Sequence, residues 1–64
     1  MRNAVRELRQ LRGWTQQELG ARVGTSRQAI IAIENGRFDP SLPLAIRLSR
    51  LLEKPIEQMF FPEE

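Results

Sequence analysis

Arg27, Gln28, Ile31 and Ala32 lie in the stretch Thr25-Ser-Arg-Gln-Ala-Ile-Ile-Ala-Ile-Glu-Asn-Gly36, which starts and stops like a helix. Advancing about 100° per residue puts Ile30, Ile33, Ala29 and Ser26 on one side and these four on the other. A guanidinium fork beside a primary amide offers donors in pairs. Arg27 suits the O6 and N7 edge of guanine, and Gln28 suits the N6 and N7 edge of adenine. Each also has a plainer reading: Arg27 gripping phosphate alone, Gln28 merely solvating or capping its helix. Ile31 either packs on a thymine methyl or is an exposed apolar residue without consequence.

These residues need a short, firmly ended helix to present them. Ser26 is a good N-cap, and Asn35-Gly36 supplies the φ > 0 residue that closes helices, so the spacing predicts a helix over 27–34. Upstream, Thr15 followed by Glu18 is a capping box that opens another helix, with Leu19, Gly20 or Ala21, and Val23 inward and Gly24 at its end. Three residues, Gly24-Thr25-Ser26, join the two, too few for a long antiparallel overlap, so they must cross steeply. That is the pattern of a helix-turn-helix, whose second helix can enter the major groove of DNA, although a generic three-helix knot could reproduce the same spacing. It demands a small residue at 20, an unusual backbone at Gly24 and a filler between the helices at Ile30, and all three are present.

The rest reads as a frame for this pair. Ala4, Val5, Leu8 and Leu11 recur at helical spacing and predict a first helix over 2–12, ended by Gly13. Residues 37–41 read as a loop because Pro40 keeps Asp39 out of the α region. Ser41 caps a fourth helix, Pro43 fits its first turn, and Leu44, Ala45, Leu48 and Leu52 form its inner stripe, leaving Ile46 and Leu51 at the flank. Pro55 opens a fifth helix over 55–60, and Pro62 stops it. Trp14 suits core or rim packing between the first two helices, since no second aromatic lies nearby to build a stacking platform. The expected fold is all-α, a compact five-helix bundle without strands, residues 1–64 forming one domain.

The chain has 64 residues, with no Cys, no His and no Tyr. The usual metal ligands, the thiol nucleophile and the base most active near pH 7 are therefore missing, so neither a metal nor another cofactor is expected, and enzymatic activity is not expected. No apolar run approaches a membrane span, and no secretory signal pattern opens the chain, so a cytoplasmic protein is expected. Net charge is +2, but residues 1–37 carry seven Arg against three Glu, while residues 38–64 carry three basic against five acidic groups. Nine of the ten basic residues are Arg, whose fork matches phosphate oxygens.

The stretch "LRQLRGWTQQELGARVGTSRQAIIAIENGRFDPSLPLAIRL", residues 8–48, together with the trailing "IEQMF", resembles the Cro and phage-repressor type, or xenobiotic-response-element, helix-turn-helix regulators. Thr-Gln opening the second helix, Val-Gly ending it, Ser-Arg-Gln opening the third and Glu-Asn-Gly closing it carry the likeness. The resemblance implies a repressor-like homodimer on a roughly palindromic double-stranded operator. It implies that Arg27, Gln28 and Ala32, with Ile31 beside them, read bases. By the same likeness Gln16, with its neighbours Thr15 and Gln17, holds phosphate at the start of the second helix, and Asn35 and Arg37 grip the backbone after the third. A helix N-terminus independently favours phosphate at Gln16. The likeness also pairs Glu34 with Arg9 as a structural ion pair. The chain departs from the family at Gly20, where Ala is usual, and at Ala29 and Ile31, where small hydroxylated residues are common.

Met59, Phe60 and Phe61 are consecutive large apolar groups, and on a short helix one of them, Phe61, is expected not to reach the core. With Ile46 they are the expected dimer contacts, which makes residues 55–64 the expected dimerisation segment. The competing reading is an antitoxin or antirepressor module that binds protein with the same fold. Against it, only about four residues follow the fifth helix, too few for a toxin-binding arm. An RNA-binding module would want more exposed aromatics.

Overall fold

A computed structural model describes residues 1–62. Five helices follow in order: α1 (Val5–Leu11), α2 (Gln16–Val23), α3 (Arg27–Glu34), α4 (Leu42–Leu52) and α5 (Ile56–Met59). Two short strands flank them, β1 (Arg2–Asn3) and β2 (Phe60–Phe61), paired antiparallel with Arg2 opposite Phe61 and Asn3 opposite Phe60. The strandless expectation is corrected by this small ladder. It shortens the first helix at its start: Asn3 leaves the helix path, its Oδ1 accepts from the Val5 N–H at 3.1 Å, and its Nδ2 donates to the Ile33 carbonyl at 2.8 Å. The fifth helix likewise ends at Met59, and Phe60 is extended (φ −119°).

Local chemistry caps α2, α3 and α4. Thr15 and Glu18 exchange bonds of 3.0 and 3.1 Å as a full capping box, and Gly24 ends α2 in the left-handed region at φ 76°. Ser26 Oγ accepts from the Ala29 N–H at 3.1 Å, and Ser41 Oγ from the Leu44 N–H at 3.3 Å. At the far end of α3, Gly36 (φ 74°) closes the helix by donating to Ile33 while Arg37 donates to Ala32, both at 3.0 Å. α4 ends on Glu53, a non-glycine residue in the left-handed region at φ 56°.

One core joins all five helices: Val5, Leu19, Val23, Ile30, Ile33, Leu44, Ala45, Leu48, Leu52, Met59 and Phe60 are buried. Leu8, Trp14, Leu51 and Ile56 pack on its edge. Leu11 continues the first helix's apolar spacing but is 83% exposed, because α1 ends there and the core contact is made one to two turns earlier, at Val5 and Leu8. Gly20 is where α2 meets the turn before α3. A Cβ there would sit 2.9 Å from the Thr25 carbonyl oxygen, and Thr25 N–H closes the same contact by donating to the Gly20 carbonyl at 2.8 Å. Among the described residues no helix is long and apolar enough to cross a membrane.

Candidate nucleic-acid interface

The outward face of α3 is set by what its inward face buries. Ile30 and Ile33 are 0% exposed, which leaves Arg27 and Gln28 in solvent and Ile31 and Ala32 half-buried between them and the domain. Ile31 is therefore only partly exposed, next in sequence to the buried Ile30. Among the described residues neither Arg27 nor Arg37 has a carboxylate within ion-pair distance, so both keep their donors available.

A buried carboxylate anchors the other end of this helix. The Glu34 side chain is sealed from solvent and takes a forked contact from Arg9, Nε to Oε2 at 2.7 Å and Nη2 to Oε1 at 3.2 Å. Gln16 Nε2 donates to the same Oε1 at 3.1 Å, and Arg6 Nε stands 3.5 Å away. Burial by itself would raise the Glu34 pKa, but hydrogen bonds from Arg9, Gln16 and Arg6 and the Arg9 charge outweigh it and hold the carboxyl below its ordinary value. Arg9 also donates to the Trp14 carbonyl at 2.8 Å, so one guanidinium ties α1 to both the entry of α2 and the end of α3.

This network changes the reading of Gln16. Its side chain is partly committed to Glu34, leaving one amide hydrogen for a phosphate, whereas Thr15 and Gln17 are exposed at the same helix start. Thr15 is also engaged, in the capping box. Asn35 and Arg37 are exposed past the end of α3.

The four expected dimer contacts separate in the structure. Met59 is 0% and Phe60 8% exposed, both in the core, where the Met59 carbonyl accepts from the Ala4 N–H at 2.9 Å and Phe60 pairs with Asn3. They are corrected to core residues. Phe61 remains 36% exposed and Ile46 half-buried. An apolar groove of about 240 Å³ lies close by, lined by Leu42, Ala45, Ile56, Phe60, Pro40 and Asp39 together with Met1.

Three anchoring side chains were not singled out from the sequence. Arg6 donates from Nη2 to Asn35 Oδ1 at 2.9 Å, Asn3 holds the end of α3, and Arg47 Nε donates to the Val23 carbonyl at 2.8 Å, tying α4 to the turn. For Arg6 a signal existed: it stands three residues before Arg9 on the same helix face. Trp14 has its ring covered by cations, Arg22 at 4.2 Å and Arg12 at 5.6 Å from the centroid, which suits rim packing and leaves little face for a base.

A helix-turn-helix family model matches residues 5–59. The chain is 51% identical, over its full length and 94% of the other, to an uncharacterized HTH-type transcriptional regulator of Methanothermobacter thermautotrophicus. It is 42% identical, over its full length and 97% of the other, to the uncharacterized HTH-type transcriptional regulator YgzD of Bacillus subtilis. Among solved structures, the hypothetical transcription factor NHTF from Neisseria superposes with a TM-score of 0.76 at 28% identity, over 84% of this chain; this chain spans 61% of that protein's length.

Proposed function

Since the chain belongs to the XRE/Cro-type helix-turn-helix family of DNA-binding transcriptional regulators, we propose that it is a repressor that binds a palindromic double-stranded operator as a homodimer. The observation that carries the reading is the face of α3: Arg27 and Gln28 in solvent, Ile31 and Ala32 beside them, on a helix whose other side is locked by Ile30, Ile33 and the buried Glu34. A rigid helix presenting paired donors and apolar contacts is what the major groove can discriminate. In this reading Arg27, Gln28, Ile31 and Ala32 face bases. Thr15, Gln16 and Gln17 meet the backbone on one side of the groove, Asn35 and Arg37 on the other.

The homodimer is supported by the apolar surface left on one flank. Leu42 is 68% and Phe61 36% exposed, and the groove lined by Leu42, Ala45, Ile56 and Phe60 runs beside them. A two-fold partner would cover the same patch on both chains, and Ile46 adjoins it. Selection of bound sites from a random duplex library tests the whole reading. It should return two inverted half-sites centred about 10 base pairs apart, with affinity falling as salt rises by a slope of about −0.9 per phosphate neutralised. Recovery of unrelated sequences with salt-independent binding would reject it.

A further inference from the structure

Beside the end of α3 lies a polar cleft of about 270 Å³ lined by Met1, Arg2, Asn3, Glu34, Asn35 and Gly36. Arg6, on α1, meets one of these lining residues, Asn35. Its Nη2 donates to Asn35 Oδ1 at 2.9 Å, and its side chain stays 46% exposed. The single negative charge of Glu34 is already held by the forked Arg9 contact at 2.7 and 3.2 Å, and the Arg6 Nε stands farther off at 3.5 Å. Arg6 is thus a cation in excess of the local carboxylate.

Its bond to Asn35 also decides how that amide is turned. A guanidinium only donates, so the Asn35 oxygen must face Arg6, and Nδ2 with its two hydrogens must face away. Arg6 N–H groups not used by Asn35 or Glu34, and the Asn35 amide donors, therefore remain available immediately past the helix proposed to enter the groove. Arg2 lines the same cleft, its backbone paired with Phe61.

The geometry points to a phosphate-binding site formed by Arg6 and Asn35, with Arg2 adding charge at its rim, in which Arg6 both contacts a DNA backbone phosphate and positions the Asn35 amide toward it. This rests on the duplex-binding reading above and extends it to residues of α1 and β1. A phosphodiester, with two free oxygens and one charge, matches a guanidinium donor beside an amide donor.

The test measures affinity for a selected operator and for an unrelated duplex over a range of salt, with Arg6→Met, Arg6→Lys, Asn35→Ala and the Arg6→Met/Asn35→Ala pair. Arg6→Met should weaken both duplexes by the same factor, about tenfold, and make the salt slope shallower by about 0.9. Arg6→Lys should recover the slope, since it keeps the charge, but not the full affinity, since it loses the fork. The double variant should lose less than the two single losses combined, because Asn35 is already unaligned once Arg6 is gone. Unchanged affinity and slope in Arg6→Met, or a loss confined to the operator, would overturn the site while leaving duplex binding intact. If the unaltered chain itself shows no salt-dependent duplex binding, the functional reading fails and this site fails with it.

Discussion

Glu34 shows how one side chain can organise an interface it does not enter. Its carboxylate is sealed, forked by Arg9 and bonded to Gln16, so the start of α2 and the end of α3 are registered on a single charge. Glu34→Gln should destabilise the fold by about 3 kcal/mol, because Arg9 loses its counter-charge while remaining largely enclosed. The pH dependence has a definite sign. Because the folded pKa lies below the ordinary value, the carboxylate's contribution is complete above about pH 4.5 and disappears as pH falls through the folded pKa. Urea titrations between pH 2 and 7 should show an acid limb that is shallower in Glu34→Gln. Two exposed residues separate reading from gripping: Gln28→Ala should cost about 1 to 3 kcal/mol at one base pair per half-site and relax preference there, whereas Arg37→Ala should weaken all sequences alike. Site selection repeated with each variant checks the division; a uniform loss from both would move the reading face elsewhere.

At the scale of elements, the decisive contact is that of α2 with the turn leading into α3. Gly20 allows the backbone of Thr25 and Ser26 to approach so closely that an added Cβ would meet backbone atoms at 2.9 to 3.2 Å. Gly20→Val should therefore lower stability by about 1 to 3 kcal/mol, despite leaving a helix interior with fewer backbone freedoms to lose, because its branched carbons have only backbone to push against. Chemical denaturation would show the loss, and DNA affinity measured well below the melting temperature would fall as α3 is displaced. The caps on either side, Thr15 with Glu18 and Ser26, were readable from residue type and spacing because they depend on bonds within one turn.

For the whole molecule, the question is what covers the apolar flank. A 64-residue chain is close to the lower size for a self-sufficient core. Burying Leu42 and Phe61 against a second copy would add to it. Phe61→Glu should convert the proposed dimer to a monomer in sedimentation equilibrium at micromolar concentration and lower operator affinity. If the unaltered chain already sediments as a monomer, and Phe61→Glu changes neither mass nor affinity, the dimer is ruled out. Two-fold pairing would set the recognition helices about 34 Å apart, one turn of DNA.

The helices, their caps and the identity of α3's inward face were determined by the sequence alone, since hydrophobic spacing and capping act over three or four residues. The same local rules put Arg27 and Gln28 outside, as the burial of Ile30 and Ile33 leaves no alternative. What only the tertiary structure decided are the contacts between segments far apart in the chain. Pairing of Asn3 with Phe60 joined β1 and β2 in a ladder, with Met59 and Phe60 in the core, whereas Phe61 stayed outside as the run of three apolar residues had led one to expect. The bonds from Arg6 to Asn35 and from Arg47 to Val23 span 29 and 24 residues, and no periodicity in the sequence encodes them. Long polar side chains on a helix can reach several neighbours. Which one they find depends on where packing of the core places the adjacent helix, and that is settled only when the apolar faces have come together.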